Sequence, residues 1–396
     1  MPLRPDTLGM TVMLALFAAL GPLSTDMYLP SLPAIARELD ATTAGTQATL
    51  SSFLLGFAVG QFAYGPVSDK AGRRPVLLAG LGIFLIGSVA CALAPTIGAL
   101  VAGRFLQAIG AAGPIVLARA MVRDLYEGPR AGRELSRMAM IMGLVPAAAP
   151  ILGGILQGLF GWRANFWGTI LCGAALALAA FTVLPETLPA RPPEPLSFRG
   201  MLRSFATLLR HSTYRVYVGL AALAYGGLFA FISGSSFVLQ GVYGLSEIGF
   251  ALSFAFTVLG YIAGTVMAQR LVGSRGLDGT IALGVVCLAA GGVLMLALVL
   301  LRVPSPAAIV GPMALYTAGV GMTLPSSQAS AMTPFPERAG AASSLLGIVQ
   351  MSFAALVGIA LGHALGGEAW PLPLAIAASG AAALTLFLAS RRARAG

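Results

Sequence analysis

GPVSDKAGRRPVLL, Gly65–Leu78, carries Asp69, Lys70, Arg73 and Arg74 within a few residues, and it lies between two runs that are almost free of charge, 44–66 and 75–95. Each run is about the length needed to cross the hydrocarbon core of a bilayer, roughly 20 residues. A short basic segment between two such runs reads as a tight turn at a membrane surface. Gly65 and Gly72 permit close backbone approach or positive φ. Asp69 suits a neighbouring helix N-terminus, where negative charge is favoured. Arg73 and Arg74 can pair with carboxylates at nearby helix ends, and Asp124, in "AMVRDLY", is the obvious partner. Two readings of the group stand side by side: an ordinary basic turn, or a latch that holds one face shut and releases in another state.

Working outward, the pattern repeats along the chain. Of 396 residues, 57% are hydrophobic and 10% charged, a balance that would leave a soluble domain with far too much apolar surface. Apolar runs fall at 8–36, 44–66, 75–95, 97–121, 135–160, 164–184, 213–238, 247–269, 279–302, 306–331, 340–365 and 371–390. The expectation is an all-α membrane protein of twelve transmembrane helices. The first run is too long for one straight span and should tilt or project. It lacks the strongly basic start of a cleaved leader.

The formal net charge of +10 is explained by topology rather than by nucleic acid. Lys70 is the only lysine. With both termini placed in the cytoplasm, every cation except Arg37, Arg163, Arg302 and the intrahelical Arg104 falls on cytoplasmic loops or helix ends, as the positive-inside rule requires. Cys91, Cys172 and Cys287 sit alone in different runs and read as small core residues. No metal or cofactor spacing is present.

The longest cytoplasmic connection divides the runs six and six, which predicts bundles at 1–184 and 213–396 joined by a linker at 185–212. The linker begins proline-rich. It then repeats Phe198, Met201, Leu202, Phe205, Leu208 and Leu209 at helical spacing beside Arg199, Arg203 and Arg210. That is an amphipathic helix suited to a membrane surface. The second half echoes the basic turn faintly in "AQRLVGSRG", Ala268–Gly276.

Within this apolar frame, "LSTDMYLPSLP", Leu23–Pro33, places Asp26 about two-thirds of the way along the first run. A carboxylate there costs roughly 2.5–3.5 kcal/mol on insertion scales. It is tolerable if paired or able to take a proton, or if it reaches the outer interface near Pro30 and Pro33. Arg104 enters the fourth run at comparable depth, about 10 Å from its end. Within the first half these two read as the only clear acid and base inside the spans. Gln107 is one helical turn from Arg104 and shares its face.

The spacing of Gly65, Asp69, Lys70, Gly72, Arg73 and Arg74 resembles the loop between spans 2 and 3 of the major facilitator superfamily. "RFLQAIGAAG", Arg104–Gly113, resembles that family's span-4 motif, with Ala108 where glycine is usual. "GLVPAAAPILGG", Gly143–Gly154, resembles its antiporter motif through Pro146, Pro150, Gly153 and Gly154, with Ala149 where glycine is commoner. "TDMYLPSLP", "ARAMVRDLY", "PETLP" and "AGAASSLLG" are similar to the bicyclomycin-resistance (Bcr/CflA) branch of drug–proton antiporters. Some relatives carry a further span-1 acid where this chain has Ala18.

The resemblance implies two six-helix bundles working by alternating access in a bacterial inner membrane. Inward proton flow would drive efflux of bicyclomycin- or phenicol-type drugs. Proton coupling would fall to Asp26 and Arg104, and the conformational latch to Gly65, Asp69, Gly72, Arg73, Arg74 and Asp124. A monomer needing protons, a small-molecule drug and the lipid bilayer, with no cofactor, is expected. Between the bundles, Tyr28, Phe57, Gln107, Tyr225, Phe229, Tyr261 and Tyr316 are candidates for drug contact, against core or lipid packing for each aromatic. The rival transport reading is an exporter or proton symporter of an endogenous metabolite. A membrane enzyme lacks a nucleophile elbow, phosphate loop or metal cluster to support it, and a receptor lacks a soluble domain.

Overall fold

In a bilayer the backbone has no water to bond to, so apolar runs close their hydrogen bonds internally as helices. The computed structural model describes residues 7–126, 128–188, 198–335 and 338–394. Its helices are α1 (Leu8–Asp26), α2 (Leu32–Glu38), α3 (Thr43–Ala71), α4 (Arg73–Ala92), α5 (Ile97–Leu125), α6 (Gly128–Phe160) and α7 (Arg163–Thr182). They continue with α8 (Phe198–Arg210), α9 (Ser212–Ser236), α10 (Glu247–Leu300), α11 (Ala307–Met332), α12 (Ala339–Ala364), α13 (Pro371–Ala389) and α14 (Arg391–Arg394). Among the described residues, eleven stretches are long and apolar enough to cross a membrane. One of them, α10, has 54 residues and breaks at Gly276, where φ is 69°. It therefore contains two crossings, which makes twelve in all.

Three expectations about local structure change. The first run is not one helix. α1 stops at Asp26, a 3₁₀ turn covers Leu29–Ser31, and α2 resumes at Leu32. Pro30 and Pro33 explain the break, because each lacks the N–H that would bond four residues back, to Asp26 and to Leu29. The second change is at Gly65–Leu78. α3 stays helical through Gly65 and Pro66 to Ala71, so the turn is the single residue Gly72, with φ 102°. The third is Cys172, which is exposed on α7 rather than packed in a core.

The helices form two compact units. The first holds α1, α2, α3 from Ser52, and α4–α7. The second holds Thr42–Ser51 together with α8–α14. In the first unit, Phe17, Leu77, Leu81, Phe84, Leu117 and Met121 make a buried core. Lipid tails are as apolar as these side chains, so close packing rather than water expulsion holds such helices together. In the second unit α8 forms as expected, but Phe205 and Leu208 are buried against protein, α8 packing on α9 and α12. That takes part of its apolar stripe away from the membrane surface. The proline-rich stretch 189–197, with Arg191, and Arg4 lie outside the described residues.

Candidate functional site

Asp26 is the last residue of α1 and is only 7% exposed. The break that follows is held from two sides. Asn165 of α7 donates Nδ2 to Ser31 Oγ at 2.8 Å. Trp162 Nε1 donates to Glu38 Oε2 at 2.8 Å, and Arg163 forms an ion pair with the same carboxylate. From α6, Gly153 presses its backbone onto the break: a Cβ there would overlap the Met27 carbonyl oxygen and stand 2.6 Å from its carbon. The segment read as the antiporter motif thus packs directly beside Asp26. α6 runs helically through Pro146 and Pro150, and Pro150, Gly153 and Gly154 are buried.

Arg104 projects from α5 into the same unit and is fully buried. Its Nη1 donates to Ser24 O at 3.0 Å and to Gln107 Oε1 at 2.6 Å. Gln107 Nε2 in turn donates to Ser88 Oγ at 2.8 Å. The guanidinium carbon lies 4.2 Å from the Phe53 ring centre, 4.8 Å from Tyr28 and 5.9 Å from Phe166. Desolvated cation–π contacts of this kind are worth about 2 kcal/mol. Among the described residues, Nε and Nη2 have no hydrogen-bond partner. Arg104 is close enough for its charge to act on Asp26, yet the two form no ion pair within 4 Å.

The remaining drug-contact candidates separate by burial. Tyr28, Phe57 and Gln107 are inside the first unit, Phe57 stacked on Phe53 at 6.2 Å. Phe229 and Tyr316 are inside the second, where Tyr316 OH donates to Ala224 O at 3.5 Å. Tyr225 and Tyr261 are half-buried.

The basic turn assembles around Arg73. Its Nε donates to Asp124 Oδ2 at 2.8 Å and its Nη1 to Asp69 Oδ1 at 2.5 Å and Ser68 Oγ at 2.7 Å. Asp69 was expected to cap a helix; instead it faces Arg73, four residues on. The cap on α4 is Glu186, whose carboxylate accepts from Arg73 N at 2.9 Å and Arg74 N at 3.1 Å. Arg74 donates Nε to Ala180 O at 3.2 Å. Gly72 is needed for its positive φ and because a Cβ would stand 2.7 Å from Glu186 Oε2. At Gly65 the same construction meets open space. "PETLP" is the trace of this cap in the sequence, through an acid placed just after the sixth run.

The two carboxylates bonded to the Arg73 guanidinium should differ in weight. The Asp124 side chain is 13% exposed and that of Asp69 is 45% exposed. Asp124→Asn keeps shape and removes charge, and is expected to cost about 2 kcal/mol. Asp69→Asn should cost less than about 1 kcal/mol. Thermal unfolding of the purified variants checks the order, and equal losses would refute it.

One acid escaped the sequence reading. Glu134 was placed outside the fifth run, but α6 begins earlier and buries it. It accepts from Thr11 Oγ1 at 2.6 Å and Arg137 Nη1 at 2.7 Å. Asp26 is therefore not the only carboxylate buried within the helices of the first unit. Among the described residues, no three His, Cys, Asp or Glu side chains converge as metal ligands.

Two units of helices long and apolar enough to cross a bilayer define a multi-pass membrane protein. The family model of the Major Facilitator Superfamily matches residues 14–359, and the chain belongs to that superfamily. It is 34% identical over 90% of its length to an uncharacterized MFS-type transporter, YdgK, of Bacillus subtilis, covering 89% of that protein. It is 30% identical over 87% of its length to a bicyclomycin resistance protein homolog of Haemophilus influenzae, covering 86% of it. Multidrug resistance protein D of Escherichia coli is 29% identical over 88% of this chain and 86% of its own. In fold, the chain is similar to a D-xylose–proton symporter, with TM-score 0.78 at 16% identity over 96% of this chain and 95% of the other. The chain is a multi-pass membrane transporter and not an enzyme.

Proposed function

We propose that this transporter exports amphipathic drugs of bicyclomycin or phenicol type from the cytoplasm of a bacterium, across its inner membrane, in exchange for protons. The Arg-rich helix ends face the cytoplasm, and the chain works as a monomer. One observation carries the reading: a buried Asp26 lies within range of a buried Arg104 whose Nε and Nη2 are unbonded, and no ion pair joins them. Such a pair has two stable arrangements. In one, Asp26 holds a proton while Arg104 stays on Ser24 and Gln107. In the other, Asp26 is ionised and Arg104 turns to it. The bicyclomycin-resistance and multidrug-resistance names of the relatives support drug as the cargo. Tyr225 and Tyr261 offer partly exposed rings for drug contact, while Tyr28 serves Arg104.

Energised inverted vesicles test the direction. Adding bicyclomycin or florfenicol is expected to release protons from the lumen as drug enters it, reported by a lumenal pH dye. Drug and protons moving in the same direction would make this a symporter and overturn the reading. The Arg73 cluster acts in this scheme as a state-dependent latch. Asp69→Ala is expected to slow turnover while leaving drug affinity nearly intact. Parallel loss of binding and transport would identify the cluster as purely structural.

A further inference from the structure

The three arginines that follow α13 do not behave alike. Arg391 and Arg392 are exposed, whereas the Arg394 side chain is only 5% exposed. A cation that served only to orient the chain in a membrane would stay in water, as Arg391 and Arg392 do. Arg394 instead turns back onto the second unit and uses all three of its nitrogens. Nη2 donates to Phe387 O at 2.7 Å and Nε to Ser390 Oγ at 3.2 Å, while Nη1 forms an ion pair with Asp278. The guanidinium carbon stands 3.6 Å from the centre of the Phe387 ring, within cation–π range. Two contacts from α9 complete the group. Tyr217 OH donates to Asp278 Oδ1 at 2.6 Å, and Thr213 Oγ1 donates to Ala393 O at 2.8 Å. One short segment thus ties α9 and α13 to the second crossing of α10.

The acid in this group sits beside a pivot. Asp278 is two residues past Gly276, whose positive φ separates the two crossings of α10, and an acid is favoured at the start of the helix that follows. The first unit is built the same way with the signs exchanged: Gly72 turns the chain, and the cation after it, Arg73, meets Asp124. The faint echo of the basic turn at Ala268–Gly276 therefore stops just short of the charge that makes the contact, while Arg270 and Arg275 are exposed. Both partners are prepared for parting. The Asp278 side chain is 45% exposed, so water can take the place of the guanidinium, and Tyr217 stays bonded. Arg394 keeps Phe387 O, Ser390 Oγ and the aromatic ring. Separation then leaves neither charge stranded, which is what makes breaking a fully buried pair so costly. We infer that Arg394 and Asp278 form a clasp that fixes the second crossing of α10 against α9 and α13 in this state and opens during the transport cycle. Arg394 acts as a positioning residue, and the clasp requires a transporter but no particular cargo.

Asp278→Cys/Arg394→Cys in the full chain, joined by a short reducible bis-methanethiosulfonate linker, tests the opening. Peptide mapping should find the two positions linked, and failure to link would refute the contact. In lipid nanodiscs, hydrogen–deuterium exchange of the amides at 213–217 and 277–281 should be about tenfold slower with the linker in place than after its reduction. Equal exchange would mean that the clasp does not open and would overturn the inference. Proteoliposomes give the second readout. Linked protein should lose florfenicol transport and regain it on reduction; transport that continues while linked would make the group purely structural. Arg394→Gln should lower maximal florfenicol flux about fivefold with the half-saturating concentration unchanged, and Arg394→Lys should recover part of the loss. A raised half-saturating concentration with unchanged maximal flux would move Arg394 to the cargo site and overturn its positioning role. A wild type that moves no florfenicol would count against the drug reading, and the exchange measurement would then decide the clasp by itself.

Discussion

Asp26→Asn, reconstituted in proteoliposomes, is expected to bind drug with an affinity that no longer changes with pH and to lose proton-driven transport. The variant keeps the size of the side chain and fixes it in the uncharged form. On the proposed mechanism, drug and proton compete in wild type through the charge of Asp26, so drug affinity should rise with pH. The variant should sit near the wild-type low-pH affinity throughout. Small movements are enough to drive the exchange, because a one-unit difference in proton affinity between two states is about 1.4 kcal/mol. Arg104→Ala empties the socket between Phe53, Tyr28 and Phe166 and should also uncouple transport. Arg104→Lys retains charge without the planar fork, and should recover coupling only in part. Titrating drug binding across pH in wild type and Asp26→Asn decides the matter. An unchanged pH dependence in the variant would assign the proton to another group.

Gly153→Val should be the most damaging apolar substitution in the first unit. The obstacle at this position is the Met27 backbone, so no rotamer change relieves it. Overpacking against movable side chains costs about 1–3 kcal/mol, and a backbone obstacle places this variant at or above the upper end. The displaced segment follows Asp26 directly, so transport should fall along with thermal stability. Gly158→Ala is the control on the same helix, where a Cβ meets open space. It should be neutral or stabilising by up to about 1 kcal/mol, since alanine favours helix. Equal unfolding temperatures and transport for Gly153→Val and wild type would show that the close approach is dispensable.

Much of the fold was legible because the membrane forces a simple grammar. A span must be apolar, long enough and helical, and each of those properties is local in sequence. The resemblance of 65–78, 104–113 and 143–154 pointed to the superfamily through residues whose spacing is also local. Asp26 and Arg104 stood out for the same reason, as charges in apolar runs. Glu134 did not stand out, because it lies where α6 begins and the edge of a helix is poorly marked by composition. Glu186 carries no local signal beyond its place in the family segment PETLP. Its role as the α4 cap depends on two segments more than a hundred residues apart.

The sequence by itself therefore determined the helical class, the number of crossings and the isolated acid and base. These follow from the cost of placing a polar backbone or a charge in hydrocarbon, which each segment pays alone. Only the tertiary structure decided that Arg104 bonds to Ser24 and Gln107 without closing on Asp26, that Arg73 joins Asp124, and that Gly153 bears on Met27. It also decided which aromatics are spent inside the units and which retain exposure. Helices in lipid gain nothing from burying apolar surface as such. Their register is set instead by close backbone approaches and a few hydrogen bonds between distant residues, and those depend on the meeting of surfaces that no single run specifies.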